Sequence, residues 1–171
     1  TYLMSVTVRV ADLVGLAALD AVQWMDRWSA PEEDMDVVRA FHGMDYVEAQ
    51  AGVTGQGVRV EVLDGGCDEN HPDLQNFIVH GTNTPSNHGT CCSGIVLGSG
   101  ANNFSARGAM PEAFLVIGDY NYLSGGSRYA HTAELVNPSL AYRCVLQSNS
   151  WGNTRTTSYT SISQDLDLIL F

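Results

Sequence analysis

Two short segments of this chain carry residue types that together could perform acid–base catalysis. Asp64 ends the apolar run 58–63, and His88 opens the segment His-Gly-Thr further along. An apolar strand that ends in aspartate places a carboxylate at the edge of a sheet, and a histidine at a helix start is favoured in its neutral, basic form. Such a pair supplies two members of a charge relay in the chain order Asp, His, Ser.

The elements that must position this pair are predicted by alternating apolar runs and helical spacing between residues 57 and 171. Strands are predicted at 58–63, 114–118 and 145–148, and helices at 89–98, 132–141 and 162–171. This alternation indicates βαβ units, a mostly parallel sheet and helices on both faces. Chemistry gathers at the carboxyl ends of such strands, and both Asp64 and segment 149–152 fall at one.

Two further zones precede this sheet. Residues 1–28 predict a β-α-β element, with strands at 6–10 and 21–25 around a helix at 13–19 that Asp12 would cap. Residues 29–56 predict a polar connector and two short helices, near 37–41 and 46–51.

Composition argues against two classes of partner. The chain has 171 residues with 8 basic and 19 acidic side chains, for a net charge of −11. This balance disfavours nucleic acid and anionic membranes as partners, because both require lysine and arginine. No apolar run approaches the roughly 20 residues of a membrane span. The four cysteines (Cys67, Cys91, Cys92 and Cys144) allow three disulfide pairings, and a bridge between the adjacent pair would be strained.

The order of these motifs resembles a known family. Segment 57–66 with its aspartate, Asn-His-Pro-Asp-Leu at 70–74, His-Gly-Thr at 88–90 and Asn-Ser-Trp-Gly at 149–152 are similar to the subtilisin-like serine peptidases, the subtilases. Within that family, the chain is most similar to large alkaline proteases with an Asn-Ser-Trp-Gly segment. The resemblance covers about residues 34–171.

The resemblance implies a three-layer subtilisin-like α/β fold with a mostly parallel sheet, present here in truncated form. Asp64 would orient and stabilise His88, which would act as general base. The residues that would pair with the substrate backbone lie in two segments: Ser150, Trp151 and Gly152 in one, and Gly125 and Gly126 in the other.

The resemblance also predicts how the chain is divided. Residues 57–171 would form the N-terminal half of a catalytic domain, so that the nucleophilic serine and the oxyanion asparagine follow Phe171 and the fragment alone is inactive. Residues 1–28 would be the end of an inhibitory prosegment. The implied partners are a polypeptide substrate and the protein's own prosegment, in a secreted enzyme. No cofactor or catalytic metal is required, and structural calcium is possible near Asp68.

Some residues depart from the family pattern and leave alternatives open. Gly65 replaces the serine or threonine whose hydroxyl helps to fix the catalytic carboxylate, so Asp64 is expected to be less well oriented. A catalytically inactive relative that binds peptides is therefore a second hypothesis. A metal site could use Cys67, Cys91, Cys92 and His88. A cysteine peptidase using Cys144 is disfavoured, because this residue precedes an apolar run instead of following it.

Overall fold

The computed structural model describes residues 4–27, 35–152 and 156–170. The chain divides into two compact units, Thr1–Glu33 and Asp34–Phe171. Within the described ranges, no helix has the length and hydrophobicity needed to cross a membrane.

The first unit contains one short α-helix, α1 (Leu13–Ala17), at the predicted position. The two predicted strands around it are wrong, because segments 4–9 and 22–27 have no regular structure. Val10 and Trp24 are more than 80% exposed, so among the described residues these apolar side chains are not buried. A strand without a partner cannot satisfy its backbone groups. Whether residues 1–28 belong to a prosegment stays a prediction.

The second unit is built on four parallel strands, which confirms the predicted α/β class. They are β1 (Arg59–Asp64), β2 (Phe77–His80), β3 (Phe114–Asp119) and β4 (Leu146–Ser148), in the spatial order β2-β3-β1-β4. Three of them agree with predictions to within one residue at each end. The strand β2 was missed, because its four residues form too short an apolar run to distinguish from the loops around it.

The described residues of this unit form five α-helices: α2 (Met35–Phe41), α3 (Met44–Ala51), α4 (Asn87–Leu97), α5 (Arg128–Val136) and α6 (Ser161–Leu170). The prediction for α5 was misplaced by four or five residues. The helix begins earlier because the Ser127 hydroxyl accepts the Ala130 N–H at 3.1 Å and caps it. It ends at Val136 because Pro138 disfavours helical geometry at Asn137.

Apolar side chains fill both faces of the sheet. Val60 and Val62 pack with Leu97 of α4 in one core, whereas Val116 packs with Leu135 of α5 in a second. Since alternate residues of a strand point to opposite faces, α4 and α5 lie on opposite sides of the sheet. This arrangement gives the three layers that the subtilisin-like fold requires, and it sets the start of α4 beside the end of β1.

Candidate active site

The site is centred on Asp64, the last residue of β1. Its side chain is 3% exposed, so a charged carboxylate here needs hydrogen-bond partners. The Gly65 N–H donates to Oδ1 at 2.7 Å, and both oxygens face the ring of His88. Backbone and imidazole therefore hold the carboxylate without the hydroxyl that the family usually places after it.

His88 is the second residue of α4, and its Nδ1 lies 2.8 Å from Oδ1 and 3.0 Å from Oδ2 of Asp64. Because a carboxylate can only accept, Nδ1 carries a proton, so that in the neutral ring Nε2 has the lone pair. The His88 side chain is 61% exposed. The pair thus presents a base toward solvent with a buried carboxylate behind it, which is the geometry of a general base in acyl transfer.

The strand and the helix approach closely enough for this bond because glycines line the contact. A Cβ atom on Gly89 would lie 1.8 Å from the carbonyl oxygen of Gly66, and Gly66 itself has a φ of +92°. The hydroxyl of Ser86 caps α4 by accepting the Gly89 N–H at 3.3 Å. Ser86 and Gly66 were missed as positioning residues, although a serine followed by a helical run is a recognisable cap signal.

Asp119 is a second buried carboxylate that the prediction overlooked. It ends β3 directly opposite Asp64 in the parallel register, and its Oδ1 accepts two bonds from Asn121 at 2.9 Å. Its Oδ2 has no hydrogen-bond partner among the residues that the structure describes. The sequence signal for Asp119 is the same as for Asp64, an apolar run that ends in aspartate.

The two predicted substrate segments follow β4 in one case and precede α5 in the other. Trp151 is anchored beside the site, because its Nε1–H donates to the carbonyl of Leu63 at 2.7 Å and its ring packs on Tyr120. Ser150 and Gly152 are exposed on either side of it. Gly125 and Gly126 form the turn before α5, with positive φ angles of 68° and 78° that suit glycine.

The cysteines do not form a second catalytic centre in the described structure, and all four are unpaired. Burial raises the pKa of Cys144 to about 12, and this thiol lies in the core of the sheet face that α5 covers. A cysteine peptidase needs a thiolate, so the structure excludes Cys144 from that role. Cys92 lies 3.8 Å from His88 Nδ1, and burial raises its pKa despite an opposing hydrogen bond with Ser150.

Two groups of side chains within the described residues have potential metal-ligand atoms within 4.8 Å of one another. One is Asp64, His88 and Cys92; the other is Glu61, His80 and His131. The first group includes neither Cys67 nor Cys91, so the four residues of the hypothetical sulfur-rich metal site do not converge.

Near the suggested calcium position, Asp68 accepts the Asn70 N–H at 2.9 Å.

Fold and site together define a class of protein: a parallel α/β protein in which a buried aspartate at a strand end holds a histidine at the start of the next helix. The model of the subtilase family matches residues 55–169. The chain therefore belongs to the subtilase family, as its motifs indicated.

Curated relatives agree with this assignment. The chain is 32% identical over 126 residues to the major intracellular serine protease of Bacillus subtilis (strain 168), covering 58% of this chain and 39% of the relative. It is 36% identical over 120 residues to furin-like protease 2 of Drosophila melanogaster, covering 60% and 7%. It is 30% identical over 122 residues to subtilisin E of Bacillus subtilis (strain 168), covering 58% and 32%. The chain spans about two fifths or less of the length of these relatives.

Proposed function

We propose that the protein is a serine endopeptidase of the subtilase family, which cleaves peptide bonds through an acyl-enzyme. The observation that carries this proposal is the bond of 2.8 Å between Asp64 and Nδ1 of His88, which leaves Nε2 free to act as a base. Family membership supports it, since two of the three relatives named above are called proteases. The nucleophilic serine and an oxyanion donor would come from parts of the protein outside residues 1–171.

In this mechanism, Nε2 of His88 takes the proton of the serine hydroxyl as the serine oxygen attacks the peptide carbonyl carbon. Asp64 stabilises the resulting imidazolium through the Nδ1–H bond. The proton then passes to the leaving amine as the C–N bond breaks and the acyl-enzyme forms. Water hydrolyses this ester, with His88 acting as base a second time.

The substrate would bind as an extended strand. Segment 150–152 continues from β4, and its exposed backbone next to Trp151 suits β-strand addition to a peptide. Gly125 and Gly126 would form the opposite side of this clamp. This assignment predicts that the main chain of the substrate contributes affinity without selecting a side chain.

The remaining parts of the proposal follow from the family alone. The polypeptide substrate and the protein's own prosegment are the proposed partners. Secretion is also a proposal, and one of the relatives named above is called an intracellular serine protease. No cofactor takes part in the proposed reaction, while structural calcium stays an untested prediction.

A fluorophosphonate probe tests the proposal on the protein in its natural full length. Such probes phosphonylate a serine that a neighbouring base has activated. We expect labelling of one serine, located by peptide mass spectrometry, and its loss in His88→Ala. The matched control is His42→Ala, since His42 is exposed on the surface.

Labelling that survives His88→Ala would contradict the role of His88. A full-length protein that is never labelled would instead favour the inactive, peptide-binding relative. In that case Asp64 and His88 would be remnants of a relay without a nucleophile.

A further inference from the structure

A buried polar cluster lies on the sheet face that α5 covers, away from the Asp64–His88 pair. Glu61 lies in the middle of β1 and is fully buried, as are His80 at the end of β2 and His131 in α5. A buried carboxylate is costly unless it is paired and hydrogen-bonded. The proposed reaction uses none of these three side chains.

Hydrogen bonds join the cluster into one network. Oε1 of Glu61 lies 2.7 Å from Nδ1 of His80 and 3.0 Å from Nε2 of His131, and its Oε2 accepts the side-chain amide of Gln147 at 2.6 Å. The other ring nitrogen of His80 lies 3.0 Å from Oε2 of Glu134, a partly exposed residue of α5. Both oxygens of Glu61 therefore face donors, and Oε2 of Glu134 faces His80.

The partners fix the charge of each ring. Both nitrogens of His80 face carboxylates, which only accept, so this ring carries two protons and a positive charge. Nδ1 of His131 accepts the Ser124 N–H at 3.0 Å, so its single proton lies on Nε2 and points to Glu61. The network thus holds His80 as imidazolium between Glu61 and Glu134, with His131 neutral.

The same geometry argues against a metal ion in this cluster. The rings of His80 and His131 are stacked, with centroids 3.7 Å apart and planes inclined by only 17°. A nitrogen lone pair lies in the plane of its ring, so two nearly parallel, stacked rings do not direct their lone pairs at one point. A metal bound to Nε2 of His131 would also require a proton on Nδ1, where the Ser124 N–H already points.

The network reaches both proposed substrate segments. Ser124 directly precedes Gly125 and Gly126; it donates its N–H to His131 and its hydroxyl to Glu134 at 2.7 Å. Gln147 of β4 donates to Glu61 and accepts from the Asn149 side chain at 2.9 Å, next to Ser150. The same hydrogen-bonded network therefore holds the residue directly before each of the two substrate segments.

We propose that Glu61, His80, His131 and Glu134 are positioning residues that set the spacing of the two substrate segments, and that this spacing depends on the proton held by His80. The proposal rests on the function proposed above, because it assigns a role to residues that act through the substrate clamp. It adds a proton-controlled element on the side of the sheet opposite the catalytic pair.

The groups that face His80 determine the direction of the pH effect. They are Glu61 from β1, Glu134 and the neutral His131 from α5, and Tyr142, whose ring lies 4.1 Å away. The buried Cys144 lies near Glu61 and stays a neutral thiol, with a pKa of about 12. Burial alone would lower the pKa of His80, but the bonds to Glu61 and Glu134 outweigh it and raise this pKa.

The sign of the linkage follows from this raised pKa. The stabilisation from His80 is fully present below about pH 6.5, the ordinary imidazole value, and is lost as the pH rises through the raised pKa. Burial would raise the pKa of Glu61, but bonds from His131 and His80 bring it below its usual range, and bonds from Ser124 and His80 lower that of Glu134. Both carboxylates are therefore charged throughout the pH range in which His80 loses its proton.

Histidine NMR of the full-length protein tests the proposal without relying on peptidase activity. With ¹⁵N-labelled histidine, we expect His80 to stay protonated above pH 6.5 and His131 to remain the Nε2–H tautomer. The backbone amides of Gly125, Gly126 and Ser150 should shift with the midpoint of His80. The proposal would be overturned by a His80 midpoint at or below pH 6.5, or by amide shifts that do not follow that midpoint. It would also be overturned if one equivalent of zinc perturbed the signals of both rings.

A matched pair of variants tests the positioning role. Glu134→Gln removes one carboxylate, so the midpoint of His80 should fall and the KM for a peptide substrate should rise by about fivefold with kcat nearly unchanged. Glu112→Gln makes the same change at an exposed site bonded to Thr54 and should alter neither. An unchanged KM with a lowered midpoint would overturn the positioning role. If the protein is an active peptidase but His80 titrates with an ordinary midpoint, the network proposal is wrong and the proposed function stands. If the midpoint of His80 is raised but the protein has no activity, only the proposed function is wrong.

Discussion

At the scale of single residues, the position of one proton decides what His88 can do. The buried carboxylate of Asp64 accepts from Nδ1, which fixes the tautomer and leaves Nε2 basic and open to solvent. Both residues were predictable because each has a local signal, a strand end and a helix start. Gly66 was not, since its contact with the helix depends on two segments that only folding brings together.

The close approach of helix and strand leads to a prediction for Gly89. A methyl group there would lie 1.8 Å from the Gly66 oxygen and 3.2 Å from Cβ of Asp64, so Gly89→Ala must push α4 away from β1. We expect a loss of roughly 1–3 kcal/mol in the free energy of unfolding, as for other overpacked sites, together with a fall in kcat/KM. Chemical denaturation and peptide hydrolysis by the full-length protein measure both.

The same helix offers a matched control. A Cβ atom on Gly94 meets nothing within 4 Å, so Gly94→Ala should be neutral or should stabilise the helix by up to about 1 kcal/mol. Equal stability of the two variants would show that the contact between Gly89 and Gly66 does not constrain the site.

At the scale of elements, sequence patterns predicted those strands and helices whose partners are dictated locally. The strands β1 and β3 are buried runs bounded by turns, and they were placed to within one residue. The first unit shows the limit of prediction from sequence patterns, because segments 6–10 and 21–25 have the pattern of strands and yet form none. Alternation predicts which face would be buried, but pairing requires a neighbouring strand, which no local pattern reveals.

A buried arginine, Arg39, attaches the two helices before the sheet, and no sequence pattern indicated this role. Arg39 of α2 is 3% exposed; it donates to Asp45 at 2.7 Å, to Glu48 of α3 at 2.6 Å and to the carbonyl of Gly108. Arg107 donates to the same Glu48 at 2.7 Å. This ion cluster joins α2 and α3 to the loop before β3.

Removal of this arginine should loosen both helices. Arg39→Gln leaves Glu48 and the Gly108 carbonyl with fewer donors, and we expect a loss of roughly 2–3 kcal/mol, since unpairing a largely buried charge is costly. Arg9→Gln is the control, because its pair with Asp12 is exposed and its loss should leave the free energy of unfolding nearly unchanged. Urea denaturation compares them, and similar losses would contradict a structural role for Arg39.

At the scale of the whole molecule, the sheet ends at β4 in the described structure. This strand pairs only with β1 there, and Val145, Leu168 and Leu170 are each more than half exposed. An edge strand and exposed apolar side chains each favour association between chains. The matched segments cover 39% or less of the relatives named above, so further sequence is available in such proteins to cover an edge of this kind.

This edge predicts how residues 1–171 behave when produced alone. We expect a broad, weakly cooperative thermal transition and elution as aggregates, because the exposed strand and apolar side chains favour association over folding. Calorimetry and size-exclusion chromatography measure these properties. A sharp transition with elution as a monomer would show that the sheet is complete without further strands.

The central claim, that Asp64 and His88 form the relay of a serine peptidase, is tested most directly by kcat/KM of the full-length protein on an unfolded protein substrate. We expect His88→Ala and Asp64→Asn each to lower kcat/KM by about 10⁴-fold or more, because the base is lost in one and its orienting charge in the other. His42→Ala should leave kcat/KM unchanged. Cleavage by His88→Ala within tenfold of the wild-type rate would contradict the assignment.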